Sequence, residues 1–189
     1  MKISHFLFAM AILAFTACGD DDNPTVDLNV LRYDGDNASS PALDAGTHEL
    51  AVYFPASYLS DYIGKTLTQV EFYAAGGADS YKVVIHGPGT STTPGPVIRE
   101  EDVTSRVNSS NSNALYKQNL STPLEITGED IWIGMVVVHS STLQTIGCDS
   151  GPRKNGGDWI WSADTQQWET FQQRTGSESV NWNIRGYLE

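Results

Sequence analysis

Cations are scarce in this chain. It carries 11 Lys and Arg against 23 Asp and Glu, a formal net charge of −12. A surface that neutralises nucleic-acid phosphates needs Lys and Arg in excess, so nucleic acid is excluded as an expected partner. The same deficit disfavours direct contact with an anionic membrane surface. Catalytic signatures are missing as well. There is no G-x-S-x-G, no H-E-x-x-H and no glycine-rich phosphate loop opening a helix. The expectation from that absence is a chain that is not an enzyme. Heptads, internal repeats and interior linkers are absent too, and a chain of 189 residues then reads as one domain with a core large enough to need no disulfide staples. Cysteine is the rarest chemistry-bearing residue, present only as Cys18 and Cys148.

What is present begins at the N-terminus. Met1 and Lys2 give a short positive start, and Ile3 to Phe15 (ISHFLFAMAILAF) is almost wholly apolar. The run falls short of the roughly 20 residues that span a bilayer and fits a secretory signal peptide, residues 1–17. Phe15-Thr16-Ala17-Cys18 resembles the lipobox of bacterial lipoproteins, with a looser first position than the usual Leu. The resemblance implies acylation of the Cys18 thiol and cleavage just before it. Gly19-Asp20-Asp21-Asp22 resembles the acidic tag of surface-exported Bacteroidetes lipoproteins; it also reads simply as a solvated tether over 18–27. The implied partner is a membrane, reached through an N-terminal lipid anchor, and the implied address is the outer membrane, facing the extracellular side. With Cys18 acylated, Cys148 has no partner for an intrachain disulfide.

From residue 28 to 189 the pattern is strand, turn, strand. Thr47–Phe54, Leu67–Ala75, Ser80–His86, Ile131–His139, Asp158–Trp161, Gln167–Phe171 and Asn181–Leu188 read as strands between turns rich in Gly, Pro, Ser and Asn. Ile131–His139 is apolar on both faces and reads as a central strand. Only Pro55–Gly64 looks helical, for a turn or two near 56–62. Residues 91–96 and 105–113 read as long loops. The expected fold is all-β, a single antiparallel β-sandwich of jelly-roll type.

Several pieces, in order, resemble a known module: Tyr33-Asp34-Gly35-Asp36-Asn37, Ala51 to Thr68, Asp130 to Gly134, Gly147 to Pro152, Gly157 to Ile160 and Asn181 to Glu189. Together they are similar to the β-sandwich module of secreted Bacteroidetes proteins, akin to the cleaved-adhesin jelly rolls. The resemblance covers about residues 31–189. It implies a jelly-roll fold and a binding or adhesive role, and modules of this kind commonly hold a structural Ca²⁺ near one end.

Three constellations could carry chemistry. Asp34, Asp36 and Asn37 cluster oxygen atoms around Gly35 as a hard Ca²⁺ ion prefers, and Asp149 joins them if its loop lies alongside; the alternative is a polar Asx-type turn. Trp159 and Trp161 share one strand face, with Trp168 across the following hairpin. These three are candidate ligand-binding residues, either stacking on flat ligands such as sugars or pairing across strands. Trp161 stands outside the family pattern. Trp132 and Trp182 read as core. Among possible catalytic groups, His48, His86 and His139 sit at unrelated positions and read as structural. Cys148 reads as a small buried hydrophobe, and Glu100-Glu101-Asp102 alternate across a strand rather than forming a facing pair. The expected function is therefore a cell-surface lipoprotein that binds an extracellular ligand, with glycan first. An adhesive surface protein that binds another protein is the alternative, and an unrecognised hydrolase a third reading.

Overall fold

The computed structural model describes residues 29–110 and 113–189. The signal peptide, Cys18 and the tether 18–27 lie outside the described residues. Twelve strands and three short helices follow one another along the described chain: β1 (Val30–Leu31), β2 (Ala42–Leu43), β3 (Gly46–Phe54), α1 (Ala56–Leu59) leading into a 3-10 turn (Ser60–Tyr62), β4 (Thr66–Ala74), β5 (Ser80–His86), β6 (Val97–Asp102), α2 (Thr104–Ser109), β7 (Ala114–Glu125), β8 (Ile131–His139), β9 (Leu143–Gln144), β10 (Trp159–Ser162), β11 (Gln167–Thr170), α3 (Phe171–Thr175) and β12 (Ile184–Leu188). Four strands form one sheet in the order β1-β12-β4-β7, and six form a second in the order β11-β10-β3-β8-β5-β6; β2 and β9 make a small separate pair. Every pairing is antiparallel. The chain is all-β, as its sequence leads one to expect.

The core lies between the two sheets. Leu50, Val52 and Phe54 of β3 and Ile133, Met135 and Val137 of β8 meet Val70, Phe72 and Ile184 from the smaller sheet. Alternation explains which residues go in, because successive strand side chains face opposite ways. β8 is buried on both faces, which is why its sequence is apolar throughout.

β4 departs from simple alternation. Its pairing with β7 shifts register between Leu67 and Gln69, so Leu67 and Val70, three apart, are both fully buried. One extra residue at a bulge resets the faces beyond it, which accounts for the irregular pattern of LTQVEFYA.

Two segments differ from expectation. Residues 105–113 do not read as helix, yet Thr104–Ser109 forms α2, whose single buried side chain, Val107, packs into the core. One anchoring residue leaves too weak a period to see. β7, the longest strand at 12 residues, is also absent from the sequence reading. It lies at a sheet edge, and an edge strand tolerates the exposed polar residues and Pro123 that disguise it. Its buried residues, Tyr116 and Leu120, still sit at an even spacing on one face. α3 is also unanticipated, although it carries a full local signature. Thr170 and Gln173 form a reciprocal capping box, and Gly176 closes the helix at φ 79°, a left-handed conformation that costs glycine nothing.

Candidate functional site

The outward face of the six-stranded sheet gathers the aromatic residues. On β3, Leu50, Val52 and Phe54 point inward, so Glu49, Ala51 and Tyr53 point out. Register carries that face across the sheet: Trp159 lies opposite Ala51 and Trp161 opposite Glu49, Trp168 opposite Trp161, Trp132 opposite Tyr53 and Gly134 opposite Ala51, and His86 opposite Trp132. Trp132, Trp159 and Ala51 form a second apolar cluster, with Tyr53 and Trp168 packed against it. Trp132 is its centre, with ring centroids 4.9 Å from Tyr53, 5.3 Å from Trp159 and 5.4 Å from Trp168. Trp132 is therefore buried, but beneath the outer face rather than in the inter-sheet core that the sequence suggests. Trp182 does occupy that core, fully buried, with its indole N–H donating to the Trp159 carbonyl at 2.8 Å.

The structure thus places Trp159, Trp161 and Trp168 on one face. Trp159 is buried as packing, while Trp161 and Trp168 stay half-exposed at its rim. The indole N–H groups of Trp132 and Trp159 are buried with no hydrogen-bond partner among the described residues.

Two further residues on this face escape a sequence reading. His86 Nε2 lies 2.6 Å from Glu49 Oε1, and His86 Nδ1 donates to the Gly95 carbonyl at 2.9 Å. A carbonyl can only accept, so Nδ1 holds a proton, and Nε2 is left to share one with the Glu49 carboxylate. Burial pushes the imidazole pKa down, but the Glu49 hydrogen bond and charge prevail and hold it above the ordinary value. Gly134 makes room for this pair, since a Cβ there would come within 2.8 Å of Glu49 Oε1. His86 also meets the edge of Trp168 at 6.5 Å, with the rings perpendicular. The only sequence hint is Gly134 inside an otherwise bulky strand, a mark of close approach by another group. Lys82, on the same face, is paired with Glu100 at 2.8 Å.

The loops expected to hold calcium do meet. Asp149 Oδ2 accepts from the Gly35 N–H at 2.9 Å, so the two turns lie side by side. Their oxygens are engaged differently, however. Asp34 is clamped by Arg185, with Nη2 at 2.8 Å and Nε at 2.9 Å from Oδ2, and by Asn183 Nδ2 at 2.6 Å. Asp149 accepts from Gly35, from Gly151 and from the Asn181 backbone and side chain. Asp36 is exposed, and the buried Asn37 Oδ1 has no partner among the described residues. Among the described residues no group of three or more His, Cys, Asp and Glu side chains could hold a metal ion. The carboxylates of Asp34 and Asp149 are thus engaged by a guanidinium and by N–H donors, while Asp36 and Asn37 take no part in that network.

That arrangement makes a pH prediction. Burial raises the Asp149 pKa, but the hydrogen bonds from Asn181, Gly35 and Gly151 outweigh it and hold the group below the ordinary carboxylate value. A depressed folded pKa contributes stability that is complete above the unfolded value, about 3.9, and is lost as pH falls through the folded value. Asp149→Ala, which strands four donors, should cost about 1–3 kcal/mol near neutrality. Its stability, followed by urea unfolding between pH 7 and pH 2, should fall less steeply on acidification than the parent's. Parallel curves would refute the assignment.

The remaining candidates fall elsewhere. His48 and His139 stack at 5.3 Å beneath β3 and β8; His48 also bonds Ser162 and the Asp44 carbonyl. Cys148 is fully buried, with Sγ 3.2 Å from Ser39 Oγ, and burial keeps its thiol pKa high. It forms part of the wall of a cavity of about 380 Å³ together with Ser39, Phe171 and Val180.

No protein-family model matches the chain, and no curated protein matches it. Among solved structures it is similar to the clostridial cysteine protease Cwp84 after propeptide cleavage, at 12% identity and a TM-score of 0.50, over 86% of this chain and 41% of that one. It is similar also to a structure of the cysteine protease and lectin-like domains of Cwp84, a surface layer associated protein of Clostridium difficile, at 11% identity and a TM-score of 0.47, over 84% of this chain and 37% of that one. The chain thus spans well under half the length of either structure. At such identity the likeness speaks for the fold. It also corrects one expectation. The absence of a recognisable catalytic motif suggested a chain that is not an enzyme, but a missing motif does not establish that and a solved structure of similar fold is that of a cysteine protease, so that expectation is withdrawn.

Proposed function

We propose that this protein is a cell-surface binding module that captures glycan on the outward face of its six-stranded sheet. The observation that carries the reading is the set of half-exposed indoles, Trp161 and Trp168, held in cross-strand register above a buried bed of Trp132, Trp159 and Ala51. Sugar rings present flat C–H faces, and a rigid indole offers them a large contact area at little cost in conformational freedom. The bed beneath fixes the rings, so less ordering has to occur on binding.

The N-terminal sequence supports placement of the module on the outer membrane, facing outward. A lipidated Cys18 would anchor it, since each buried acyl CH₂ contributes about 0.8 kcal/mol, and the aspartates after it would extend the tether. Among the described residues no helix is long and apolar enough to cross a membrane.

A glycan array followed by titration tests the reading. Trp161→Ala and Trp168→Ala should each weaken the bound glycan about tenfold or more, roughly 1.4 kcal/mol, while thermal stability changes little for Trp161. Full binding by both variants, or recovery of a protein partner with no glycan bound, would replace glycan capture with adhesion to protein.

A further inference from the structure

On the glycan face just described, and resting on that reading, we infer that Glu49 is the residue that reads ligand hydroxyl groups, and that the ligand is a neutral, hydroxyl-rich saccharide rather than an acidic one. Glu49 stands directly opposite Trp161 across the β3–β10 pair. An ionised carboxylate only accepts hydrogen bonds, and each oxygen has more than one acceptor site. One oxygen, Oε1, is committed to His86. The side chain keeps 13% of its surface exposed, and Oε2 has no partner among the described residues. A hydroxyl on a ring stacked over Trp161 meets an acceptor already fixed in place. Charge-assisted bonds of this kind are about twice as strong as neutral ones.

His86 is the positioning residue. It holds Glu49 across Gly134, where the missing side chain leaves the carboxylate its path. Its own orientation is set by the Gly95 carbonyl.

The ligand's charge follows from what the face lacks. Lys82 and His86, which register places on this outward face, are already paired with Glu100 and Glu49. Neither is free to pair with a uronate or sulfate, and the chain's net charge of −12 repels anions at a distance. A neutral ring supplies what Glu49 needs, a donor, and nothing that Glu49 opposes.

The test is a calorimetric titration of the full chain with cellohexaose, mannohexaose, maltohexaose and hexagalacturonate, repeated on Glu49→Gln and Trp161→Ala. Glu49→Gln keeps the shape of the side chain, and thermal unfolding checks that it folds. The expected result is binding of at least one neutral hexasaccharide, weakened tenfold or more in Glu49→Gln, with hexagalacturonate unbound. Neutral binding unchanged in Glu49→Gln overturns the role of Glu49. Tighter binding of hexagalacturonate overturns the neutral class. In both cases a loss in Trp161→Ala leaves the aromatic face standing. If the unmodified protein binds none of the four, the glycan reading falls and this inference with it.

Discussion

Arg185→Leu should lower the free energy of unfolding by about 3–5 kcal/mol, the range for removing one partner of a buried ion pair. Arg185 sits on β12 with its side chain 9% exposed, between Asp34 and Glu71. Its Nη1 lies 2.8 Å from Glu71 Oε2 and its Nη2 3.0 Å from the Gly35 carbonyl. Without it two nearly buried carboxylates lose their shared cation; Asp34 keeps Arg32 Nε at 3.3 Å from Oδ1 and the Asn183 amide. Lys117 reaches Glu71 Oε1 only at 3.6 Å from a half-exposed position, and Tyr187 Oη donates a single bond. The large cost comes from the stranded charges rather than from the attraction lost. Arg185→Leu combined with Asp34→Asn and Glu71→Gln should therefore recover part of the loss. Urea unfolding at neutral pH measures both. A single-variant loss of about 1 kcal/mol or less, as for exposed pairs, would show that the network contributes no more than a surface contact.

Trp182→Ala should cost a similar amount, about 3–5 kcal/mol for a large aromatic truncated in a close-packed interior. The ring is fully buried and meets Phe171 edge-on at 5.0 Å, joining α3 to the core. The variant also removes the indole N–H that donates to the Trp159 carbonyl. Trp159 belongs to the bed under the glycan face, so a ligand bound there should weaken in step with the loss of stability. Trp182→Phe keeps most of the volume and loses chiefly the hydrogen bond, about 1 kcal/mol. Equal losses for the two variants would mean that packing is not the source.

Much of the fold is legible along the chain. Strands β3, β5 and β8 announce themselves by apolar alternation or by a continuous apolar run, because one or both of their faces meet the core. The hairpin of β10 and β11 was expected, and with it Trp161 beside Trp168. β7 and α2 were hidden, because each is anchored by only a few buried residues among polar ones. The Asp34 turn was visible as a polar cluster, but its true partner, Arg185, lies 151 residues away. Local sequence offers a carboxylate as ready for a metal as for a guanidinium, and only the fold brings the guanidinium to it.

The sequence by itself determined the all-β class, the acidic balance of the chain and the aromatic content of its last third. These depend on local period and composition, which the chain carries at every point. Tertiary structure alone decided that Trp132 joins the outer aromatic face and that Glu49 meets His86 over Gly134. Such contacts form between strands far apart in sequence, through register and sheet order, and no local pattern encodes which strands become neighbours.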